Sequence, residues 1–342
     1  MNKNESGKKS RRSSGAITLH DVARLAGVSP ITASRAINKP EQVSPELLKK
    51  VDDAINRTGY VPNRMAGGLA SSRSKLIAAV VPSTVISVFN GTIEALNNTL
   101  FDAGYQLMIG QSAYSATREE FILDSVIGRR PEGIFLTGVM KPGKGRTRLM
   151  ASGIPVVETW DLTSTPIDML IGFSHSDIGL SVAKYLISKG RTKFAMIRAE
   201  DERADRRAVS FISAIKDAGF ATPYVVNVGA QRSIRSGRDA MTNIIENAPK
   251  TDAIFCSSDL LALGALTESR AQNIEVPNQT AIVGFGDIPF VADMLPALTT
   301  VRINGEMIGG LAAQYLIERA EGREISRPIL DVGFSIIQRD TA

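Results

Sequence analysis

Two hydrophobic periodicities divide this chain of 342 residues near residue 75. Before that point apolar residues recur at spacings of three and four, which predicts short helices. After it, short apolar strands alternate with helical stretches, which predicts parallel sheets covered by helices on both faces. The pattern therefore predicts an all-α head of about 60 residues, followed by a larger α/β core.

Capping and stop residues place three helices between about residues 16 and 60. Thr18, followed by an acid three positions later, is typical of a capping box, and Pro at a first helical position costs no hydrogen bond. The predicted buried face of the first helix consists of Val22, Leu25 and Ala26. The residues that begin or end helices are Thr18, Gly27, Ser29, Pro30, Ser44, Pro45 and Gly59.

The second predicted helix has two unlike faces. Ala33, Ala36 and Ile37 form a small apolar back. The opposite face carries Ile31, Thr32, Ser34, Arg35 and Asn38. A short helix of this kind after a tight turn is typical of a helix-turn-helix, whose second helix reads base edges in the major groove. The pattern therefore predicts DNA binding.

Charge is distributed unevenly along the chain. Residues 1–75 hold 14 lysines and arginines against 6 acids, whereas the remainder holds 26 against 29. A basic head on a mildly acidic body is the electrostatic footprint of a nucleic-acid binder with a separate second task. We interpret residues 1–15, which are polar and basic, as a disordered tail.

The core divides again into two Rossmann-like lobes. The apolar segments that predict strands lie at residues 76–82, 105–110, 133–138, 155–160, 169–173, 193–199, 224–229, 253–258, 281–286 and 329–339. Ligands of such folds bind beyond the carboxyl ends of the strands, so two lobes predict a binding cleft between them. The predicted organisation is a helix-turn-helix domain at 16–62, a hinge at 63–74 and a core at 75–342, with an N-lobe at about 75–173 and 303–325 and a C-lobe at about 174–302 and 326–342.

Several classes of protein fit this sequence poorly. No apolar run reaches the 18 to 20 residues or so that cross a bilayer, and the start lacks the apolar segment of a secretory signal. The lone Cys256 and the distant His20 and His175 argue against a disulfide or a zinc site. A Gly-x-Ser-x-Gly elbow is missing, which argues against one class of hydrolase. We therefore expect a cytoplasmic protein that is not an enzyme and has no metal or cofactor; a solute-binding protein is the remaining rival.

The motifs resemble those of the lactose/galactose/purine repressor family. TLHDVARLAGVSPITASRAIN resembles its helix-turn-helix, and GYVPNRMAGGLAS its hinge helix. SSDLLALGAL, AIVGFGD and PALTTV resemble its periplasmic-binding-protein-like effector domain. A closer resemblance, to repressors of gluconate-utilisation operons, rests on PVVETWDLTSTPIDMLIGFSH, PEQVS and LDVGFS.

The resemblance implies which residues of the head contact DNA. Base contacts fall on Pro30, Ile31 and Ser34, with Arg35 close by. The residues implied to contact backbone or groove are Thr18, Ser29, Thr32 and Asn38. In the hinge, Leu69 corresponds to a wedge inserted between base steps from the minor groove, and the neighbours implied to approach DNA are Asn63, Arg64 and Ala66.

The resemblance also implies an effector site in the cleft. Arg207 corresponds to the family's effector-binding arginine, although Arg203 and Arg206 are near enough to compete for that role. The other implied effector residues are Ser83, Phe89, Trp160, Asp161, Ser258 and Asp287. Gly286 stands where many relatives have an acid, which suits a negatively charged effector.

The implied partners are palindromic operator DNA, a sugar-acid effector of the gluconate type, and a second copy of the chain, since palindromes mirror two-fold proteins. The implied activity is repression of a catabolic operon, released by the effector. Purine-type relatives instead bind DNA when their ligand is present, so a ligand-activated regulator of another sugar or purine pathway stays an alternative.

Overall fold

The computed structural model describes residues 17–61, 74–83, 88–229 and 232–342. Contacts within the chain group it into two units that divide between Ser74 and Lys75. The first unit contains the predicted helical head and the second contains the predicted α/β core. No helix in the described ranges combines the length and the apolar character needed to span a membrane.

Within residues 17–61 the head consists of three helices and a short 3-10 turn. The helices are α1 (Leu19–Ala26), α2 (Pro30–Asn38) and α3 (Pro45–Thr58), and the turn is Pro40–Gln42. Gly27 and Gly59 end α1 and α3 in the left-handed region, with φ of +68° and +66°, where glycine meets no Cβ clash. These boundaries confirm the helices that the capping residues predict.

The head core differs from the predicted one at a single position. Val22 of α1 packs with Ala36, Val51 and Ala54 in a small buried cluster. Leu25, predicted to be buried, is 41% exposed, and Ala23 is buried instead. The correction follows from geometry: Leu25 lies about 100° around the helix from the centre of the face formed by residues 22, 23 and 26.

The described residues of the core form two six-stranded sheets with helices between the strands. The first lobe begins with β1 (Leu76–Val81), α4 (Asn90–Asp102), β2 (Gln106–Gln111), α5 (Ala116–Ile127), β3 (Gly133–Thr137), α6 (Lys144–Ser152), β4 (Val156–Thr159) and β5 (Met169–Gly172). The second lobe follows with α7 (His175–Ser188), β6 (Phe194–Arg198), α8 (Glu202–Asp217), β7 (Tyr224–Asn227), α9 (Ile234–Asn247), β8 (Ala253–Cys256), α10 (Asp259–Ala271), β9 (Ala281–Gly286) and β10 (Thr299–Arg302). The chain ends with α11 (Gly305–Ala320), β11 (Ile329–Asp331) and β12 (Ser335–Ile337).

The two sheets have the same strand order. It is β2-β1-β3-β4-β5-β11 in the first and β7-β6-β8-β9-β10-β12 in the second. All neighbouring strands of the two sheets pair in parallel except β10 and β12, which pair antiparallel. Parallel order with helical crossovers brings the carboxyl ends of β1, β3, β4, β6, β8 and β9 to the edge where such folds bind ligands.

The last crossing between lobes lies later than the sequence predicts. The segment 329–339 is continuous in its apolar pattern, yet β11 pairs with β5 in the first sheet and β12 pairs with β10 in the second. Gly333, with φ +66°, turns the chain between them. The predicted C-lobe boundary at 326 is therefore corrected to a crossing after Asp331. The apolar pattern also does not predict the short β10, which is rich in threonine, as a strand.

Candidate functional site

The turn before α2 orders the start of the helix that is predicted to read DNA. Ser29 Oγ accepts a hydrogen bond from Thr32 N at 3.1 Å and lies 2.9 Å from Thr32 Oγ1. Pro30 occupies the first helical position. Ser29 and Thr32, both predicted to contact DNA, are thus also the cap of α2, and this cap fixes the orientation of the residues that follow.

Two side chains stand out on the exposed face of α2. Ile31 is 69% exposed, and Arg35, one turn later, is also exposed. Residues four apart on a helix share a face. Within residues 17–61 the Arg35 guanidinium has no hydrogen-bond or ion-pair partner, so its donors are available to a base edge or a phosphate.

The other described head residues that are predicted to contact DNA form hydrogen bonds within the head itself. Asn38 Nδ2 donates to Ser34 O at 2.9 Å and to Ser34 Oγ at 3.3 Å. Thr18 donates to the carboxylate of Asp21 through its backbone N at 3.0 Å and through Oγ1 at 2.7 Å. The four hinge predictions, Asn63, Arg64, Ala66 and Leu69, lie outside the described residues and stay predictions.

A cavity of about 720 Å³ lies within the core, walled by residues of both sheets. Five of the seven predicted effector residues line it: Ser83, Phe89, Trp160, Arg207 and Ser258. They follow or begin different elements: Ser83 comes after β1, Trp160 after β4, and Ser258 caps α10. The structure therefore gathers residues that are 175 positions apart, as expected for the carboxyl edges of two facing sheets.

Aromatic rings form one wall of the cavity. The rings of Phe89 and Trp160 meet edge to face with centroids 4.8 Å apart, and the Phe173 ring packs edge to face on Trp160 with centroids 5.6 Å apart. Trp160 Nε1 donates to Thr92 Oγ1 at 3.1 Å. The backbone of Trp160 has φ +62°, a left-handed conformation that is costly for a residue with a Cβ. Packing and the indole hydrogen bond hold the ring in place.

Arg207 lines the cavity and is buried in a set of protein contacts. Its Nη1 donates to His175 Nδ1 at 2.7 Å, and its Nη2 donates to Ser257 O at 3.2 Å. The guanidinium lies 4.0 Å from the centroid of the Phe285 ring, a favourable position for a cation. Burial lowers the pKa of Arg207 to about 9, so the side chain is protonated at neutral pH.

His175 is neutral because of this arrangement. Burial, together with the positive charge of Arg207, lowers its pKa to about 2. Its Nε2 lies 3.0 Å from Trp160 O. Because a carbonyl oxygen only accepts, Nε2 carries the proton and Nδ1 accepts from Arg207. Both ring nitrogens are therefore occupied by protein groups.

The two acids predicted to contact effector need correction. Asp161 and Asp287 are not among the described residues that line the cavity. The Asp161 carboxylate, only 4% exposed, accepts hydrogen bonds from the Arg206 guanidinium. Asp287 pairs with Arg302 Nε at 2.5 Å and with Arg339 Nη1 at 2.8 Å. Buried carboxylates need such partners, and the sequence alone does not show which arginine each one finds.

Sequence reasoning missed several residues of the cavity wall. Asp201 caps α8, accepting from Ala204 N at 3.0 Å, and also pairs with the Arg232 guanidinium. Arg232 lies 4.8 Å from the ring centroid of Tyr114, which belongs to the other lobe. The capping pattern of an acid before a helical stretch marks Asp201 in the sequence. Nothing in the sequence shows that Arg232 pairs with Asp201, 31 positions earlier, or lies near Tyr114, 118 positions earlier.

Asp259 is a buried acid of the wall that binds protein donors. Its carboxylate accepts from Thr300 Oγ1 at 2.5 Å and from Ile288 N at 2.9 Å. Burial raises its pKa to about 6. These bonds tie the start of α10 to β10 and to the loop after β9, so Asp259 positions the wall.

The charges of the cavity favour an anionic ligand. Among the described residues, the wall contains three arginines and two aspartates. Arg232 and Asp201 pair with each other. Burial would raise the pKa of Asp201, but the charges of Arg232, Arg207 and Arg203 outweigh it and lower that pKa. The surplus of positive charge beside an aromatic wall suits a small molecule with a carboxylate and a C–H face.

Comparison with known proteins agrees with the architecture. The model of bacterial regulatory proteins of the lacI family matches residues 18–63, and that of a periplasmic binding protein-like domain matches residues 183–342. The HTH-type transcriptional regulator GntR of Pseudomonas aeruginosa is 36% identical over 335 residues, which cover 97% of this chain and 98% of that protein.

Solved structures show the same likeness. A LacI-family transcriptional regulator from Silicibacter pomeroyi has a TM-score of 0.89 at 29% identity, covering 95% of this chain and 99% of its own. The transcription regulator GntR from Chromobacterium violaceum has a TM-score of 0.74 at 31% identity, covering 78% of this chain and 98% of its own.

Proposed function

This chain belongs to the lacI family of bacterial regulatory proteins, and from that premise we propose that a sugar acid of the gluconate type controls its binding to operator DNA. Its role as a DNA-binding transcriptional regulator rests on the family and on relatives that are named as regulators over almost their whole length. The proposal adds the class of effector and the direction of control.

The observation that carries the proposal is the surplus of arginine in the cavity wall. Among the described residues the wall contains three arginines and two aspartates, and a sugar acid supplies the matching carboxylate. Its hydroxyl groups suit Ser258 and the fixed donors of Arg207, and its C–H surface suits Phe89 and Trp160. A polar molecule with one negative end thus fits each part of the wall.

Control of DNA binding would come from the placement of the cavity between two lobes. A ligand that contacts both lobes favours one relative arrangement of them, and it shifts operator affinity only if the two arrangements bind DNA differently. Coupling energies of this kind are typically about 1–3 kcal/mol. We propose that two copies bind a palindromic operator and that the effector releases them.

We further propose that the cavity binds its ligand without chemical change and without a cofactor. His175 is the residue of the wall most suited to acid–base chemistry. However, its Nδ1 accepts from Arg207 and its Nε2 donates to Trp160 O. Neither nitrogen is available to a ligand, which argues for a binding site and against a catalytic one.

The sole tryptophan provides a direct test of effector binding. Trp160 is 2% exposed and lies in the cavity wall, so a bound ligand is expected to change its fluorescence. Gluconate should change the emission and raise the melting temperature, since a ligand that binds only the native state stabilises it. Glucose and adenine serve as controls. A response to adenine alone would contradict the sugar-acid proposal.

Operator release is tested separately. A palindromic duplex selected from a random pool is labelled, and its anisotropy is followed while gluconate is added to the complex at fixed salt. We expect the anisotropy to fall with the same midpoint as the fluorescence change. An increase in DNA affinity would support ligand-activated regulation instead, and no change would contradict a coupling between cavity and head.

A further inference from the structure

We propose that Arg203 supplies the positive charge that binds the carboxylate of the effector, whereas Arg207 serves its hydroxyl groups. This assignment rests on the proposed sugar-acid effector and names the residue that would distinguish an acid from a neutral sugar. It follows from comparing what each arginine near the cavity already contacts.

Arg207 is held by several protein contacts. Its guanidinium donates to His175 and to Ser257 O, lies against the Phe285 ring, and is almost completely buried, with 3% of the residue exposed. Its Nε has no hydrogen-bond partner within the described ranges. A donor held so rigidly suits a neutral oxygen at a defined position.

Two other arginines already have carboxylate partners. Arg206 binds Asp161, and Arg232 binds Asp201. A carboxylate ligand at either would have to compete with a protein acid that is itself largely buried. Their positive charges are thus already balanced.

Arg203 differs from all three. It lies in the first turn of α8, is half-buried, and lines the cavity. Its guanidinium has no hydrogen bond and no ion pair among the described residues, and it lies 5.7 Å from the centroid of the Phe89 ring. Burial raises the pKa values of Glu119 and Asp161, and the nearby charge of Arg203 offsets only part of that rise; neither acid forms an ion pair with Arg203. A partly desolvated guanidinium that forms no ion pair with the described residues favours an anionic ligand.

The position of Arg203 also relates the ligand to both lobes. Arg203 belongs to α8 in the second lobe, whereas Phe89 belongs to the first. Arg203 Nη1 lies 3.8 Å from the position that a Cβ on Gly138 would occupy, and Gly138 also belongs to the first lobe. A carboxylate bound at this guanidinium would therefore lie between the lobes, where it affects their relative arrangement.

The test compares an acid with its neutral analogue. Gluconate carries a carboxylate at the position where glucitol has a CH₂OH group. Their affinities are measured by calorimetry and Trp160 fluorescence for the full chain and for Arg203→Gln, Arg203→Lys, Arg207→Gln and, as a matched control, Arg270→Gln, which removes an exposed arginine outside the cavity wall. Melting curves establish that each variant is folded.

We expect Arg203→Gln to weaken gluconate binding by about 10- to 100-fold, the usual effect of losing a hydrogen bond to a charged group. Glucitol binding should change by less than about 3-fold on the same reasoning. Arg203→Lys should retain part of the preference for the acid, Arg207→Gln should weaken both ligands alike, and Arg270→Gln should resemble wild type.

The outcomes separate this inference from the proposed function. If wild type binds gluconate and Arg203→Gln binds it equally well, the assignment to Arg203 is wrong while the sugar-acid effector stands. If Arg207→Gln loses the preference for the acid while Arg203→Gln keeps it, the two roles are reversed. If wild type binds neither ligand, the proposed effector class is wrong and the assignment falls with it.

Discussion

Arg207 Nη1 donates to His175 Nδ1 at 2.7 Å, and burial of the imidazole together with this contact keeps the histidine neutral. The imidazole is buried and faces a guanidinium, so the neutral form is favoured. His175 in turn connects α7 to the carbonyl of Trp160. The strained aromatic wall and the buried arginine thus belong to one hydrogen-bonded network.

This network predicts a specific pH dependence of stability. The native pKa of His175, about 2, lies below its usual 6.5, so below pH 6.5 the unfolded chain binds a proton that the native protein does not. The free energy of unfolding should therefore fall on acidification, by up to about 1.4 kcal/mol per pH unit.

The measurement is urea denaturation between pH 5 and 8 for wild type and His175→Gln. The free energy of unfolding of wild type should exceed that of His175→Gln by an amount that decreases steadily as the pH falls below about 6.5. His20→Gln, which removes the exposed histidine of the head, controls for the loss of a histidine as such. An advantage that is constant across this range would contradict the buried neutral histidine.

Arg206→Gln should destabilise the core. The substitution leaves the Asp161 carboxylate buried without its cation, which we expect to cost about 1–3 kcal/mol at pH 7 after allowance for the partly exposed arginine. Burial already raises the pKa of Asp161, and loss of Arg206 raises it further. The cost should therefore shrink as the pH falls and Asp161 becomes protonated.

A matched control is the surface pair Arg148–Asp124, whose side chains are 48% and 52% exposed. Arg148→Gln should cost about 0–1 kcal/mol, as exposed pairs do. Denaturant titrations at pH 5 and pH 7 give both costs. Equal costs for the two variants would show that Arg206 does not compensate a buried charge.

Arg35→Ala should reduce sequence discrimination. The exposed guanidinium on α2 has its donors available, and an arginine paired with guanine contributes about 1–3 kcal/mol of discrimination. The measurement is competition between a selected operator and a random duplex at fixed salt, because affinity depends steeply on salt. Arg57→Ala, an exposed arginine in the last turn of α3, should leave the ratio unchanged. An unchanged ratio in Arg35→Ala would exclude a base contact.

Gly172→Ala should prevent stable folding of the first lobe. A Cβ there would lie 1.8 Å from Asp161 O, which is backbone and cannot move aside like a side chain. We expect a loss of at least about 3 kcal/mol. Gly143→Ala is the control, since its Cβ would meet nothing within 4 Å. Similar melting temperatures for the two variants would contradict the close approach of the loop after β4 to β5.

Residues that act on their immediate neighbours made most of the fold predictable. Ser29 and Pro30 begin α2 because capping and proline geometry depend only on the next few residues. The apolar run 281–286 coincides with β9. By contrast, segment 329–339 divides between two sheets at Gly333, because the pairing of β11 with β5 and of β12 with β10 is decided by strands far away in sequence.

The same division applies to the candidate site. The sequence by itself determined that a cleft lies beyond the strand ends and that Trp160 ends a strand there, and its resemblance to the repressor family implied that Phe89 and Arg207 belong to the same cleft. Only the tertiary structure decided that Asp161 binds Arg206, that Asp287 binds Arg302, and that Arg203 keeps its charge unpaired among the described residues. Ion pairing depends on distances of a few ångströms between residues that are 45 positions apart for Asp161 and Arg206 and 15 apart for Asp287 and Arg302, and no local pattern of residues encodes those distances.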